Sequence, residues 1–442
     1  MKTLILVVAA LLIASPAAAA PVYIGYAVDA AHPCGGYARL PIGMAKGLCA
    51  GLVYGPSPAD APPSKRTLRL PRTLLPLANG DLLVVDLGGW LRGQGSVWRL
   101  TPRPGGQPTL KRLLDKLDLP HTAAFGPDGK VYLGEMSRIV RFDPDAADPP
   151  STVETVVSGL PDNSLHPDRH PLSSFLFDRD NALLVNVGAP TDQCPPAAGA
   201  TRCPQAEGDH PQAAIWRFAY LGGGRWAQTP TTYARGLRNS LALAMHSSGA
   251  IFQGENGIDL TSADAPYDVI NRLRAGANYG WPYCIEATAV APAWRGKSPL
   301  DCAGAARTRP VLMLPPHGAP LSMLYYSGAM FPTLAGKLIV SLHGYRATGS
   351  RIVAFSVDAT GAPIPNAKPT FAVYGQPGAA ATRRAYREGP AANGFILTPG
   401  WDAVKGRRPS GAPVGFAVTP DGALWVAEDR NGTIVRIAKD GG

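Results

Sequence analysis

Six times along the chain a tight turn rich in Asp, Asn or Gly gives way to a β-rich run, and a second run follows that often ends in Arg and an aliphatic residue. The copies are LANGDLLVVDLGGWLRGQGSVWRLT, GPDGKVYLGEMSRIVRFDP, FDRDNALLVNVG continuing to AAIWRFAY, HSSGAIFQGENG continuing to YDVINRL, LAGKLIVSLHGYRATGSRIVAFSVD and TPDGALWVAEDRNGTIVRIAK. In each, apolar residues alternate or run unbroken over four to six positions, as they do in strands buried between sheets. One such unit cannot bury its apolar face alone, so neighbouring copies must lean on each other. Radial repetition of four-stranded sheets is the arrangement that does this without helices, and the pattern predicts an all-β, six-bladed β-propeller. The 50 glycines and 45 prolines, which follow no collagen-like period, fit a chain of many turns and short strands. The spacing between copies widens in mid-chain and places long insertions there, and insertions on one face of a propeller build its binding site.

The repeats occupy the part of the chain from residue 64 to residue 442. Ahead of them, residues 21–63 are Gly- and Pro-rich and carry Cys34 and Cys49, which reads as a disulfide-stapled N-terminal arm. Residues 1–20 have the layout of a signal peptide: Lys2, an apolar core from Leu4 to Ile13, then alanines before Pro21. The expected location is therefore periplasmic or secreted. Six cysteines suit such an oxidising compartment. Fifteen pairings are possible; nearest-neighbour pairing (Cys34 with Cys49, Cys194 with Cys203, Cys284 with Cys302) is the simplest. No C-x-x-C occurs, which argues against a thioredoxin motif, a zinc ribbon and a haem attachment site. The net charge of +10 is scattered rather than gathered into a stripe, so nucleic-acid binding is not expected, and with no run of about 18 apolar residues after residue 20, neither is a membrane span.

Within the fourth copy, ARGLRNSLALAMHSSGAIFQGENG sets Arg238 and Asn239 directly before an apolar run. A strand entering a propeller from its top face aims its first residues at the central pocket. There an arginine offers a fork of donors matched to carboxylates and quinone oxygens. His170, in SLHPDRHP, stands just upstream of an inner strand, and a neutral imidazole there suits a general base. The chain has no H-E-x-x-H, no P-loop, no dinucleotide G-x-G-x-x-G after a strand and no G-x-S-x-G elbow.

RGLRNSLALA, then GENG, then YDVINRLRAGANYGWPYC, resembles the soluble quinoprotein glucose and sorbosone dehydrogenases, with the sorbosone-dehydrogenase-like branch the nearest in flavour. The likeness continues in LPRTLLPLANGDLLVVD, LPHTAAFGPDGKVYLGE, HPLSSFLFDRDNALLVNVG, PPHGAPLSMLYYSGAMFP with VSLHG, and PVGFAVTPDGALWVAED. The resemblance implies six blades, pyrroloquinoline quinone (PQQ) and calcium, and oxidation of an aldose or sugar aldehyde at C1 by hydride transfer to the quinone. It implies His170 as the base and Arg238 as stabiliser of charge on the quinone. Cofactor contacts would come from Arg238, Asn239, His121, His317, His343 and Arg346, and Gly257 and Ile258 would hold calcium through their carbonyls. The chain has no haem site, so a separate electron acceptor, a cytochrome or a quinone, is implied. Asp268 matches an acidic position of the family, where Val269 replaces the usual glutamate. Two further departures stand out: Gly188-Ala189 where the family often carries an Asp that orients the histidine, and Ala412-Pro413-Val414 where it often has Arg-Pro-Val, with Arg407 and Arg408 as possible substitutes. These losses leave a non-catalytic ligand- or protein-binding propeller as the alternative, and a metal-dependent lactonase-type propeller as a more distant one.

Overall fold

The computed structural model describes residues 22–23, 26–55, 66–163, 170, 173–344, 349–366, 391–401 and 411–441. The expected signal segment, His166, Arg346, Arg407 and Arg408 lie outside the described residues. The chain forms a six-bladed β-propeller. Blade 1 is built from Pro71–Pro76, Leu82–Asp86, Gly95–Thr101 and Thr109–Leu117, paired in chain order. Blades 2 to 5 repeat the meander, with innermost strands Ala123–Phe125, Phe175–Phe177, Ala242–Met245 and Pro320–Tyr325. Blade 6 takes three strands from the C-terminal end, Pro413–Val418, Leu424–Glu428 and Thr433–Lys439. Its fourth, Leu48–Tyr54, comes from the N-terminal side, so the two ends of the described chain close the ring. The stapled segment expected ahead of the propeller is thus knitted into its last sheet, continuing through Tyr37–Arg39 to Asp29–Cys34. Nearest-neighbour pairing holds for all three disulfides, Cys34–Cys49, Cys194–Cys203 and Cys284–Cys302.

The unbroken apolar runs are the second strands. All five residues are buried in each of Leu82–Asp86, Val131–Glu135, Leu183–Val187, Ile251–Glu255, Leu338–Leu342 and Leu424–Glu428. Each is covered on both faces, by its own blade's neighbour on one side and the next blade on the other. Leu83 and Val85 of blade 1 pack with Val131 and Leu133 of blade 2. Ile339 of blade 5 packs with Val426 of blade 6, and Leu424 and Trp425 of blade 6 meet neighbours on either side.

Four of these runs end in an acid, and the acid has a structural task. The main chain entering each blade leaves N–H groups without a ladder partner, and a buried N–H must find an acceptor. Asp86 accepts from the N–H of Leu70 at 2.7 Å, Glu135 from Asp118 at 2.9 Å, Glu255 from Arg238 at 2.6 Å and Glu428 from Ala412 at 2.9 Å. Burial pushes Glu255 up to about 8 and Glu428 up to about 7. The clamp at Glu255 fixes the backbone of Arg238 and so aims its side chain.

Candidate functional site

Where the blades meet on the axis, an apolar collar of Leu87, Leu119, Met136, Leu241, Leu321 and Val414 closes the centre. Above it opens a cavity of about 400 Å³. That volume lies within the range of small-molecule sites. Leu241 and Leu321 belong both to the collar and to the cavity wall. Of the residues singled out in the sequence, His170, Arg238, Asn239, Gly257, His317, His343 and Asp268 all line it. They come from different blades and their connecting loops, hence the long separations in sequence.

Arg238 is 4% exposed and is held from several directions. Its Nη2 lies 2.8 Å from Asp192 and 3.2 Å from Asp259, and Nη1 donates to the Asn256 carbonyl at 3.0 Å. Its Nε–H is buried without a hydrogen-bond partner. Both aspartates sit on insertion loops, beside a satellite core that packs Ile258, Trp281 and Trp294 around the Cys194–Cys203 and Cys284–Cys302 staples. His170 Nδ1 lies 2.9 Å from the Ala189 carbonyl. Burial, reinforced by the Arg238 charge, pushes His170 down to about 3, so the imidazole is neutral at pH 7. On another wall His343 Nε2 lies 2.9 Å from Asp429, which also pairs with Arg72 at 3.1 Å. Burial raises Asp429, but the charges of His343 and Arg72 outweigh it and leave the carboxyl below its usual range. Asp268 accepts from the N–H of Gly257 at 2.8 Å and of Ala319 at 2.6 Å, tying the GENG loop to the entry of blade 5. Burial pushes it up to about 6. His317 donates to the Ser262 carbonyl at 2.7 Å.

One expectation takes a different place. His121 lies below the collar, lining a chamber of about 100 Å³ with Thr122 and Ser174. Burial pushes it down to about 3, with Arg72 adding to the effect. The Ile258 side chain is buried in the satellite core, and the expected calcium contact concerns its carbonyl, not this side chain. Among the described residues no group of three or more His, Cys, Asp or Glu is arranged to hold a metal ion.

Three contributors went unread in the sequence. Arg72 sits at a register shift between Pro71 and Thr73 on the innermost strand of blade 1. Such a bulge re-aims a side chain. Trp90 lies over the Arg72 guanidinium at 5.5 Å from its ring centre and forms part of the cavity rim. Asp429 follows Glu428, the acid that ends a second strand. The acid-after-run pattern in LLVVD, VYLGE, IFQGE and LWVAE was the signal available for it.

A family model described as "Glucose / Sorbosone dehydrogenase" matches residues 134–360, from within blade 2 to within blade 5, a stretch that carries His170, Arg238, Asn239, Gly257, Asp268, His317 and His343 of the cavity wall. The chain belongs to that family. Membership places it among sugar oxidoreductases, without resolving the sorbosone branch. No curated protein sequence matches it. Among solved structures it is similar to an iodide structure of a Trichoderma reesei carbohydrate-active enzyme of family AA12, at 20% identity and a TM-score of 0.65, covering 90% of this chain and 97% of that one. It is similar to the holo form of the PQQ domain of a pyranose dehydrogenase from Coprinopsis cinerea, at 20% identity and a TM-score of 0.63, covering 92% of this chain and all of that one. It is also similar to the PQQ-bound aldose sugar dehydrogenase of Streptomyces coelicolor, at 17% identity and a TM-score of 0.54, covering 90% and 99%. At these identities the likeness speaks for the fold. Among the described residues no helix is long and apolar enough to cross a membrane.

Proposed function

We propose that this family member is an exported, periplasmic or secreted PQQ- and calcium-dependent dehydrogenase that oxidises an aldose or sugar aldehyde at C1 and passes the electrons to a separate acceptor, a cytochrome or a quinone. The observation that carries the reading is that His170 and Arg238, 68 residues apart in sequence, line one cavity on the axis. The cavity fits the cofactor in kind. PQQ is a flat tricarboxylate, and the wall offers the guanidiniums of Arg72 and Arg238, each with a buried Nε–H lacking a partner. A buried donor left unpaired costs about 1–3 kcal/mol, which an anionic ligand would recover. Trp90 adds an aromatic surface at the rim.

Bound there, PQQ would supply an electrophilic quinone as the acceptor for the sugar's C1 hydride. The chain's own part is to place groups around the sugar. His170 accepts the proton of the C1 hydroxyl at Nε2. Arg238, locked by Asp192 and Asp259, holds positive charge where negative charge develops, and such preorganised charge is the largest single source of rate in many enzymes. Asn239, His317, His343 and Arg72 would hold the cofactor's polar edge, while Gly257 and Ile258 would meet calcium through carbonyl oxygens, ligands that calcium accepts readily. His121, beneath the collar, does not line this cavity and is given no cofactor contact. The test is a titration of purified protein with PQQ and calcium, followed by absorbance and calorimetry, for the wild type and Arg238→Ala. The expected result is a quinone absorbance that an aldose bleaches in the wild type. Binding without bleaching by any aldose would favour the non-catalytic propeller; hydrolysis of a lactone by PQQ-free protein would favour the lactonase.

A further inference from the structure

The end of the second strand of blade 3 connects the two residues on which the proposed reaction depends. Ala189 is fully buried, and both halves of its backbone are engaged. Its N–H donates to the Arg238 carbonyl at 2.8 Å, and its carbonyl faces His170 Nδ1 at 2.9 Å. The preceding residue has no room for a side chain. A Cβ on Gly188 would lie 2.1 Å from the His170 carbonyl oxygen and 2.7 Å from the His170 Cβ. Asn163 Nδ2 holds the Gly188 carbonyl at 3.1 Å, so this strand end is itself anchored.

We infer that the Gly188–Ala189 backbone is the positioning device for the base: the Ala189 carbonyl fixes His170 as the Nδ1–H tautomer, leaving Nε2 as the bare nitrogen, while the Ala189 N–H holds the Arg238 backbone in register with it. The reasoning is chemical. A carbonyl oxygen only accepts, so the ring nitrogen facing it must carry the proton. A neutral imidazole has one proton, and the other nitrogen is then the base. A titratable orienter can change protonation state with its surroundings; a backbone carbonyl cannot. Gly188 is the sequence requirement, because any side chain there would push His170 off the strand.

The inference rests on His170 acting as the base, but its first test is independent of that. In protein selectively labelled with ¹⁵N-histidine and free of quinone, long-range ¹H–¹⁵N correlations identify the tautomer of each ring, and His170→Asn assigns the resonances. The expected spectrum has His170 protonated at Nδ1 and bare at Nε2 at pH 7; an Nε2–H ring, or an average of the two tautomers, overturns the inference. The second test is Gly188→Ala. Quinone binding by absorbance titration is expected to survive and KM to stay within about twofold, while kcat falls on the order of 10- to 100-fold, as a displaced base requires. Unchanged kcat in a folded variant also overturns it. If the variant does not fold, the wild-type spectrum still decides. If the wild type binds no quinone, the proposed function fails and the tautomer result stands alone.

Discussion

Taking the protein from pH 7 to pH 5 tests the buried state of His170 directly. In an unfolded chain a histidine titrates near pH 6.5; here burial and the Arg238 charge hold His170 down to about 3. Between these values the unfolded state binds a proton that the folded state refuses, so stability falls as the pH falls. From pH 7 to pH 5 about 1.5 units of that window are crossed, and at 1.36 kcal/mol per unit the loss is about 2 kcal/mol for this one ring. His121, likewise pushed down to about 3, adds a similar amount. The buried acids whose values are raised, Glu255, Glu428 and Asp268, respond in the opposite direction. They are present in both proteins of a matched pair and cancel in the difference. The assay is urea unfolding, disulfides intact, of the wild type and His170→Asn at both pH values. The variant should lose about 2 kcal/mol less than the wild type on acidification, and a His121→Asn, His170→Asn double variant about 4 kcal/mol less. Equal losses in wild type and variant would mean that His170 takes up its proton while folded, and would refute the assignment of a neutral, buried base.

Glu428→Gln should shift stability the other way. Glu428 is raised to about 7 from an ordinary 4.5, so its protonated form stabilises the fold at low pH, and that contribution is lost as the pH rises toward and through 7. Between pH 5 and pH 8 the variant should therefore gain on the wild type by about 2–3 kcal/mol in urea unfolding. Arg238→Ala removes the cation that neutralises Asp192 and Asp259 and should cut kcat with a saturating aldose on the order of 10²- to 10³-fold; a change below threefold would mean that another group holds the charge. Replacing Cys194 and Cys203 by Ser opens a loop of sequence separation 9 beside the cavity and should cost about 2–3 kcal/mol in thermal or urea unfolding.

The blades were legible because an unbroken run such as LLVVD or LIVSL can be satisfied only by burial on both faces, and six such runs demand six sheets. Arg238 and Asn239 were legible because the residues at the top of an inner strand of a propeller point toward the axis. What escaped has three separate physical causes. Ala189 acts through its backbone, which every residue shares, so Gly188-Ala189 read as the loss of an orienting acid when the orienting contact is made by a carbonyl. Arg72 reached the cavity through a bulge, and a bulge changes which face a side chain takes without any compositional mark. His121 was misplaced by one layer: it begins an inner strand like the other candidates, but the collar formed by Leu119, Met136 and Leu241 lies between it and the cavity. That collar is assembled from side chains far apart in sequence, and no single repeat reveals it.

On the proposed function, the charge of the cavity wall predicts that quinone and calcium bind as a linked pair. Asp259, Asp268 and Asp429 line it against Arg72 and Arg238, so the acids already occupy the arginines before any ligand arrives. A tricarboxylate entering such a space brings negative charge that the wall alone does not neutralise, and the low-dielectric wall screens it poorly. A divalent cation shifts the balance toward positive charge. Linkage then requires reciprocity: calcium must lower the Kd of the quinone by the same factor by which the quinone lowers the Kd of calcium. Typical couplings run to about 5- to 150-fold, and desolvated charges favour the upper end. Calorimetric titrations in both orders, with chelator in place of calcium as the reference, measure the two factors separately. Equal quinone affinity with calcium and with chelator would mean that the arginines alone carry the anion, and that Gly257 and Ile258 are turn residues and nothing more.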